Sequence, residues 1–402
     1  MRFLPILALM LAGCAADPAV PEISVSVAAI VVETGETVHE ADADRPVLPT
    51  STAKLVTAIA LADGAGLDHR FVTRVCRADD TVTLVGGGDP SLDVEDLLAL
   101  ALAAGPGLRG ATGFRYAPVR RGGPINPDQP ADAAYNPVLA GLIVAEGAYR
   151  AGVTEARAWT TPAESPPPAA EGAGWFAHPD PPRQAADLFL HYAHGIGIVL
   201  PQPTPGSETC GRELARHSSR PVSDLIREML WTSSNLMAEM LGRFGTVSES
   251  PGRWLAGAHP DLTAIDLENF SGLSDRSRVT ARSMAQLLAR EAARPVGEAL
   301  LPAILTPAGW DGGLRNRLTG PPAALAVWAK TGTMHYGVGL AGYALHPRHG
   351  LMAIAAYAHD PVLRAAYDPI ATTPQAEAAA KAWDRAARQA VDDAVRSLFP
   401  EP

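Results

Sequence analysis

Residues Pro49-Thr50-Ser51-Thr52-Ala53-Lys54-Leu55-Val56-Thr57 are the segment from which the architecture of this chain can be inferred. They contain one of only three lysines in a chain of 402 residues that carries 30 arginines; the other two are Lys330 and Lys381. A buried lysine can lose its proton near neutral pH, whereas a guanidinium stays charged. Lys54 therefore suggests proton-transfer chemistry, with an ordinary surface lysine as the alternative.

Ser51 and Lys54 are three residues apart at the start of a predicted helix that runs from about Thr50 or Ser51 to Ala62. This spacing places both side chains on one helix face. A serine hydroxyl is a weak nucleophile until a base takes its proton, and a lysine with a depressed pKa can be that base. The free N–H of Ser51 at a helix start supplies one half of an oxyanion hole. Ser-x-x-Lys pairs also arise by chance, so this pair alone is weak evidence.

Lys330-Thr331-Gly332-Thr333 follows an apolar stretch that is predicted to be a strand. Lys330 offers a cation for a substrate carboxylate and a field that lowers the pKa of Lys54. Gly332 lets a ligand backbone approach closely. Thr331 and Thr333 offer hydroxyls, and the Thr333 N–H is a candidate second oxyanion donor. The alternative is an edge strand that ends in a polar turn.

Ser233-Ser234-Asn235 lies inside a helical stretch, where helix capping would be its ordinary role. Together with the two lysine motifs, however, it resembles the signature of the penicillin-binding serine hydrolases, S-x-x-K, S-D-N and K-T-G in that order. Two of the three lysines of the chain belong to this set.

The resemblance narrows because Ser51 and Ser233 are 182 positions apart. This interval is similar to that of the D-alanyl-D-alanine carboxypeptidase/endopeptidase family of the penicillin-binding protein 4 type (peptidase family S13), which carries an extra domain there. The match runs from about Ile23 to Asp360. Further segments that carry it are Leu84-Val85-Gly86-Gly87-Gly88-Asp89-Pro90, Ala134-Tyr135-Asn136-Pro137, Asn235-Leu236-Met237-Ala238-Glu239-Met240-Leu241, Ser271-Gly272-Leu273-Ser274 and Arg278-Val279-Thr280.

Three departures from the family pattern concern the substrate more than the nucleophile. Ser234 replaces the Asp of the signature, Asn269-Phe270 replaces the usual Asp-Gly, and the insertion is short.

The resemblance implies an α/β (α+β) fold: a β-lactamase/transpeptidase-like antiparallel sheet with helices on both faces, interrupted by a large inserted domain. The hairpin that begins at Ile23, three apolar runs between residues 324 and 358, and an amphipathic segment from Gln375 to Phe399 agree with it. We expect the transpeptidase-like domain to comprise residues 23–75 and 198–402, and the insertion residues 76–197.

The resemblance also implies acyl transfer on peptidoglycan stem peptides, with β-lactam antibiotics as inhibitors and no metal or other cofactor. Ser51 would attack the penultimate D-Ala carbonyl and Lys54 would be the base. Ser233 and Asn235 would relay the proton and hold the substrate amide. Substrate binding is expected from Lys330, Thr331, Gly332 and Thr333.

Two alternative functions are open at this point. A β-lactamase or esterase on the same scaffold needs a deacylation base, for which Glu146 and Glu239 are the only guesses. A non-catalytic peptidoglycan-binding lipoprotein is the other alternative. His191 and His194 form the nearest pair to a metal site, but a solvated helix face is the better interpretation.

The N-terminus has the pattern of an export signal. Arg2 precedes an apolar run from Phe3 to Ala12, which is too short to cross a bilayer, and Leu11-Ala12-Gly13-Cys14 resembles a bacterial lipobox. We expect residues 1–13 to be a signal peptide, Cys14 to be lipidated, and residues 14–22 to be a tether. The protein would then be periplasmic and anchored to a membrane, the outer one being favoured by Ala15. The alternative is an ordinary secretory peptide with an incidental cysteine.

Composition narrows the remaining choices. A formal net charge of −10 without any basic stripe argues against nucleic acid as a partner. In an oxidising compartment Cys76 and Cys210 are a candidate disulfide, and two buried thiols are the alternative.

Overall fold

The computed structural model of the protein describes residues 22–64, 66–118, 121–154, 157–161, 174–244 and 250–400. The predicted signal peptide, Cys14 and all but the last residue of the predicted tether lie outside these ranges. Within the described ranges, no helix has the length and apolar character needed to cross a bilayer.

The secondary-structure elements are numbered here in chain order. The strands are β1 (Val25–Val31), β2 (Thr37–Ala41), β3 (Val72–Ala78), β4 (Thr81–Val85), β5 (Gly113–Ala117), β6 (Arg121–Pro124), β7 (Val138–Ala140), β8 (Ala148–Thr154), β9 (Arg157–Thr161), β10 (Gly174–Ala177), β11 (Thr204–Pro205), β12 (Arg212–Ser218), β13 (Pro295–Val296), β14 (Ala299–Leu300), β15 (Thr306–Pro307), β16 (Val327–Met334), β17 (Gly337–His346) and β18 (Gly350–His359). The α-helices are α1 (Ala53–Asp63), α2 (Val94–Leu108), α3 (Pro181–Gly195), α4 (Val222–Thr232), α5 (Asn235–Phe244), α6 (Pro251–Ala258), α7 (Ala281–Glu291), α8 (Pro361–Ala366) and α9 (Pro374–Arg396).

The main sheet has six strands in the order β15-β16-β17-β18-β1-β2, and every neighbouring pair is antiparallel. Successive side chains of β1 point to opposite faces, so Ala28 and Ile30 join the core beneath α1 and α7, while Val27 and Ala29 join the core beneath α9. The predicted antiparallel sheet with helices on both faces is confirmed.

Helix α1 is buried on all sides, because every residue from Ala53 to Leu61 is inaccessible to solvent. A helix that is apolar all round belongs in a core. The segment before it, Thr50–Thr52, is a 3₁₀ turn and not the start of the α-helix itself. Lys54 therefore enters the core on the second residue of a buried helix.

A second sheet, in the order β11-β5-β4-β3-β12, forms the inserted domain. Its outer strand β12 pairs with β3, so this sheet extends from Val72 to Ser218 and is wider than the expected insertion of residues 76–197. Strand β12 carries no apolar alternation, since only Ala215 of its residues is buried. Its partner β3 also lies more than a hundred residues earlier in the chain, a pairing that local sequence does not reveal.

Cys76 and Cys210 form a disulfide with their Cα atoms 5.2 Å apart. Cys76 lies on β3 and Cys210 lies just before β12, so the bond joins the two strands that carry the chain into and out of the insertion. Closing a loop of 134 residues stabilises the fold by about 4–5 kcal/mol on the chain-entropy model.

The insertion packs against the main domain through an apolar cluster. Ile125, Leu139 and Ile143 of the insertion contact side chains of the main domain, namely Leu236, Met240 and Leu273. The buried Asn126 also donates from Nδ2 to the Leu273 carbonyl at 3.0 Å. The insertion is thereby held against α5 and the loop at residues 269–274.

Candidate active site

Ser51 lies in the 3₁₀ turn before α1, where the backbone is tightly confined. Thr50 has a φ of +49°, which is costly for a residue with a β-carbon. A β-carbon on Gly272 would lie 1.9 Å from the Thr50 carbonyl oxygen. One on Gly332 would lie 1.9 Å from Thr50 Oγ1 and 2.8 Å from the Ser51 nitrogen. Gly272 and Gly332 therefore both pack directly against the turn and confine the Ser51 backbone.

The Lys54 ammonium is completely buried and donates three hydrogen bonds. Its Nζ lies 2.9 Å from Ser51 Oγ, 2.7 Å from Asn235 Oδ1 and 2.8 Å from the Ser271 carbonyl oxygen. Each acceptor comes from a different part of the chain. The geometry fixes the nitrogen beside the serine hydroxyl, within reach for proton transfer.

Burial is the main reason that the pKa of Lys54 lies well below its ordinary value. The charge of Lys330 lowers it further, as expected from the sequence, while Glu239 and Glu146 oppose both effects. Burial also lowers the pKa of Lys330 to about 7. Both lysines of the signature therefore titrate far below an exposed lysine.

Replacing Lys330 by methionine is expected to raise the pKa of Lys54, because it removes a positive charge that disfavours protonation of the neighbouring ammonium. Carbon-13 labelling of the lysine ε positions checks this, since the chain has only three lysines. The Lys54 midpoint should move to higher pH. A midpoint that did not move would contradict the electrostatic coupling of the two lysines.

Ser233-Ser234-Asn235 forms the break between α4 and α5. Ser233 ends α4 in the left-handed region, with a φ of +61°. Ser234 accepts a hydrogen bond from the Met237 N–H at 3.1 Å, so the residue that departs from the family signature is a helix cap. The break aims Asn235 at Lys54, and the Asn235 Nδ2 donates to the Tyr135 carbonyl of the insertion at 2.9 Å. Ser233 lines the same cleft.

The second lysine motif lies on β16, beside the turn that holds Ser51. The short β15 pairs only with Trp328 and Ala329 of β16, and of the residues that follow on this strand Thr333 and Met334 line the cleft. Lys330 is buried and donates to the Thr331 carbonyl at 2.6 Å. Thr333 is exposed and lines the cleft beside Ser51. The structure therefore brings together the three motifs that the sequence singled out.

The cleft has a volume of about 690 Å³ and continues well beyond Ser51. Gln129 and Tyr135 of the insertion form one wall. The far end is lined by charged side chains that sequence reasoning missed, because they belong to no motif: His335, Arg364, Glu377, Lys381, Asp384 and Arg388. Several are paired with one another; His335 Nδ1 lies 2.6 Å from Asp384 and Lys381 lies 2.8 Å from Glu377.

The candidate deacylation bases do not fit that role. Glu239 is fully buried on α5 and accepts from the Ser271 N–H at 2.9 Å, and Glu146 is exposed on the insertion. Neither lines the cleft. His191 and His194 lie on α3, and among the described residues no group of three or more His, Cys, Asp or Glu side chains is arranged to hold a metal ion.

Comparison with known proteins agrees with this geometry. A D-alanyl-D-alanine carboxypeptidase of Actinomadura sp. (strain R39) is 28% identical over 415 residues, covering 82% of this chain and 77% of the relative. Penicillin-binding protein 4 of Haemophilus influenzae superposes with a TM-score of 0.67 at 20% identity, covering 90% of this chain and 96% of that one. A predatory endopeptidase of Bdellovibrio bacteriovorus has a TM-score of 0.59 at 14% identity, with 93% and 92% covered. The sequence profile of the D-Ala-D-Ala carboxypeptidase 3 (S13) family matches residues 7–112 and 166–376, and the chain belongs to this family.

Proposed function

We propose that the protein is a serine-type D-Ala-D-Ala carboxypeptidase that acts on peptidoglycan stem peptides through an acyl-enzyme on Ser51. The observation that carries this proposal is the buried Lys54 ammonium, 2.9 Å from Ser51 Oγ, with a strongly lowered pKa. A lysine that merely stabilises a fold does not need to be stripped of solvent beside a hydroxyl. This argues against the non-catalytic binding lipoprotein.

In the proposed reaction, neutral Lys54 takes the Ser51 proton as Oγ attacks the carbonyl of the penultimate D-Ala. The Ser51 N–H and the Thr333 N–H stabilise the oxyanion. The C–N bond breaks, and the proton returns from Lys54 through Ser233 to the leaving nitrogen of the terminal D-Ala. Water then hydrolyses the ester. Asn235 keeps Lys54 in place and holds the substrate amide.

Lys330 and the hydroxyls of Thr331 and Thr333 bind the terminal carboxylate of the substrate. The pKa of Lys330 near 7 has a consequence for this step. Lys330 is charged below that pH and loses its charge above it, although a bound carboxylate favours the charged form. Gly332 contributes indirectly, because it lets β16 lie close to the turn that carries Ser51.

Benzylpenicillin tests the proposal because a β-lactam acylates the serine that a D-Ala-D-Ala peptide would. Intact mass should show one penicilloyl group per chain, and peptide mapping should place it on Ser51. The same preparation should release D-alanine from a peptide that ends in D-Ala-D-Ala. An unmodified protein with intact drug would refute the proposal, and continuous drug hydrolysis would favour the β-lactamase alternative.

The length of the cleft supports a second activity, DD-endopeptidase cleavage of crosslinked stem peptides. A carboxypeptidase needs room for a terminal dipeptide only, whereas this cleft runs from Ser51 to α9. Digestion of purified crosslinked muropeptides distinguishes the two. Release of monomers supports the endopeptidase, and release of D-alanine alone limits the protein to trimming.

We also propose a periplasmic location with a lipid anchor at Cys14, supported by the apolar run and the lipobox-like residues before that cysteine. Palmitate labelling of cells that express the protein should mark the wild type and not the Cys14→Ala variant. Labelling that survives the substitution would remove the anchor from the proposal. If the label depends on Cys14, fractionation of the labelled cells shows which membrane holds the protein.

A further inference from the structure

Glu239 is the one member of the Lys54 environment whose burial the proposed reaction does not explain. It lies on α5 one turn after Asn235, so both side chains project from the same helix face. Its exposed fraction is 0%, the same as that of Lys54. A buried carboxylate costs several kcal/mol unless it is paired or hydrogen-bonded.

The hydrogen bonds of Glu239 lead to Lys54 through the backbone of one residue, Ser271. Glu239 Oε1 accepts from the Ser271 N–H at 2.9 Å, and the Ser271 carbonyl accepts from Lys54 Nζ at 2.8 Å. One face of α5 therefore holds the lysine by two routes, directly through Asn235 and indirectly through the Ser271 backbone.

The loop that carries Ser271 is fixed by other contacts, so this route is stiff. Asn269 accepts from the Gly272 N–H at 2.9 Å and donates to the Leu273 carbonyl at 3.0 Å. Thr57 on α1 donates to the Phe270 carbonyl at 2.7 Å. A substitution at Glu239 that displaces the Ser271 backbone is therefore expected to displace Lys54 as well, because the loop has little freedom to compensate.

The charge of Glu239 is only partly balanced. Arg243, one turn further on α5, lies 3.2 Å from Oε2, yet that oxygen has no hydrogen-bond partner and is buried. Burial raises the pKa of Glu239, whereas Arg243, the Ser271 N–H and Lys54 lower it. Around Lys54 the charged neighbours are Lys330 on β16, Glu239 on α5 and Glu146 on the insertion.

We infer that Glu239 is a positioning residue for the acylation step: it holds the Ser271 backbone so that the Ser271 carbonyl stays against Lys54, and it places a buried negative charge on the same side of that ammonium. This inference rests on the proposed function, in which Lys54 is the base. The positive charge of Lys330 on β16 and the negative charge of Glu239 on α5 then have opposite effects on the Lys54 ammonium.

Glu239→Gln tests the inference, because glutamine keeps the acceptor for the Ser271 N–H and removes the charge. Carbon-13 labelling of the lysines should show the Lys54 midpoint at least half a pH unit lower than in the wild type, about threefold more neutral lysine at a pH below the midpoint. The pH profile of β-lactam acylation should shift by the same amount and in the same direction. Glu239→Asp keeps the charge and shortens the reach; it should leave the midpoint in place and lower the acylation rate at all pH values.

The matched control is Glu291→Gln, which removes another buried glutamate that pairs with His259 and Arg294, away from the cleft. It should leave the Lys54 midpoint unchanged. An unchanged midpoint in Glu239→Gln, or equal shifts in both variants, would overturn the inference. A wild-type protein that benzylpenicillin does not acylate would instead refute the proposed function, so the two failures are distinguishable.

Discussion

Lys54→Met is expected to slow the acylation of Ser51 by benzylpenicillin by about 10²–10⁴-fold, the usual contribution of a positioned general base. Methionine is close to lysine in length and suits the apolar surroundings of α1, so the core keeps its packing. The Ser51 hydroxyl then has no group nearby to take its proton. The rate is obtained by stopping the reaction with benzylpenicillin at set times and measuring the fraction of acylated protein by intact mass.

Three companion variants make this result interpretable. Ser51→Ala gives the background rate without a nucleophile. Arg290→Met removes an exposed cation that pairs with Asp261 outside the cleft, and it should leave the rate unchanged. Lys54→Arg keeps a positive charge but offers no proton acceptor at any working pH. It should be as slow as Lys54→Met if proton acceptance matters, and near the wild-type rate if only the charge matters. The second outcome would contradict the role given to Lys54.

Gly332→Ala is expected to reduce the acylation rate by about 10²–10³-fold, the cost of losing one oxyanion donor. The new methyl group would lie 1.9 Å from Thr50 Oγ1 and 2.8 Å from the Ser51 nitrogen, so the turn or β16 must move. Either movement takes the Ser51 N–H away from the carbonyl that Oγ attacks. The protein should still fold, because the sheet can shift at this edge.

Gly320→Ala is the control for this substitution, because a β-carbon there meets nothing within 4 Å. It should react like the wild type. Thermal unfolding of both variants shows whether the loss in Gly332→Ala comes from the site or from the fold. If Gly332→Ala were acylated at the wild-type rate, the role given to Gly272 and Gly332 in fixing the Ser51 backbone would be contradicted.

Two side chains of the candidate site stand out in the sequence because their residue type is rare. Lysine is so rare in this chain that Lys54 and Lys330 attract attention without any other information. The three consecutive strands β16, β17 and β18 also follow from pattern, since each strand is long and each turn is short. The helix break at Ser233 does not, because it falls inside a stretch that the sequence predicts to be helical. The first of these strands begins at Val327, three residues later than the apolar run suggests, because the preceding residues form a turn in which Leu325 has a φ of +58°.

The remaining features of the site come from backbone atoms and long-range packing. The Ser271 carbonyl accepts a hydrogen bond from Lys54, and the Tyr135 carbonyl accepts one from Asn235. Backbone groups such as these occur in every residue, so the sequence does not reveal which of them take part. The positive φ of Thr50 is imposed by neighbours that are distant along the chain. The charged end of the cleft arises from α9, whose polar face is typical of any amphipathic helix.

The three hydrogen bonds of Lys54 also have a consequence for the newly made chain. Two of its acceptors lie 181 and 217 residues further along, and such distant contacts form late in folding. A polypeptide that has emerged from the ribosome only as far as α4 already contains Ser51 and Lys54, but there the lysine is an ordinary hydrated ammonium. Under the proposed function, Ser51 therefore gains its base only when the parts of the chain that carry Asn235 and Ser271 have folded around Lys54.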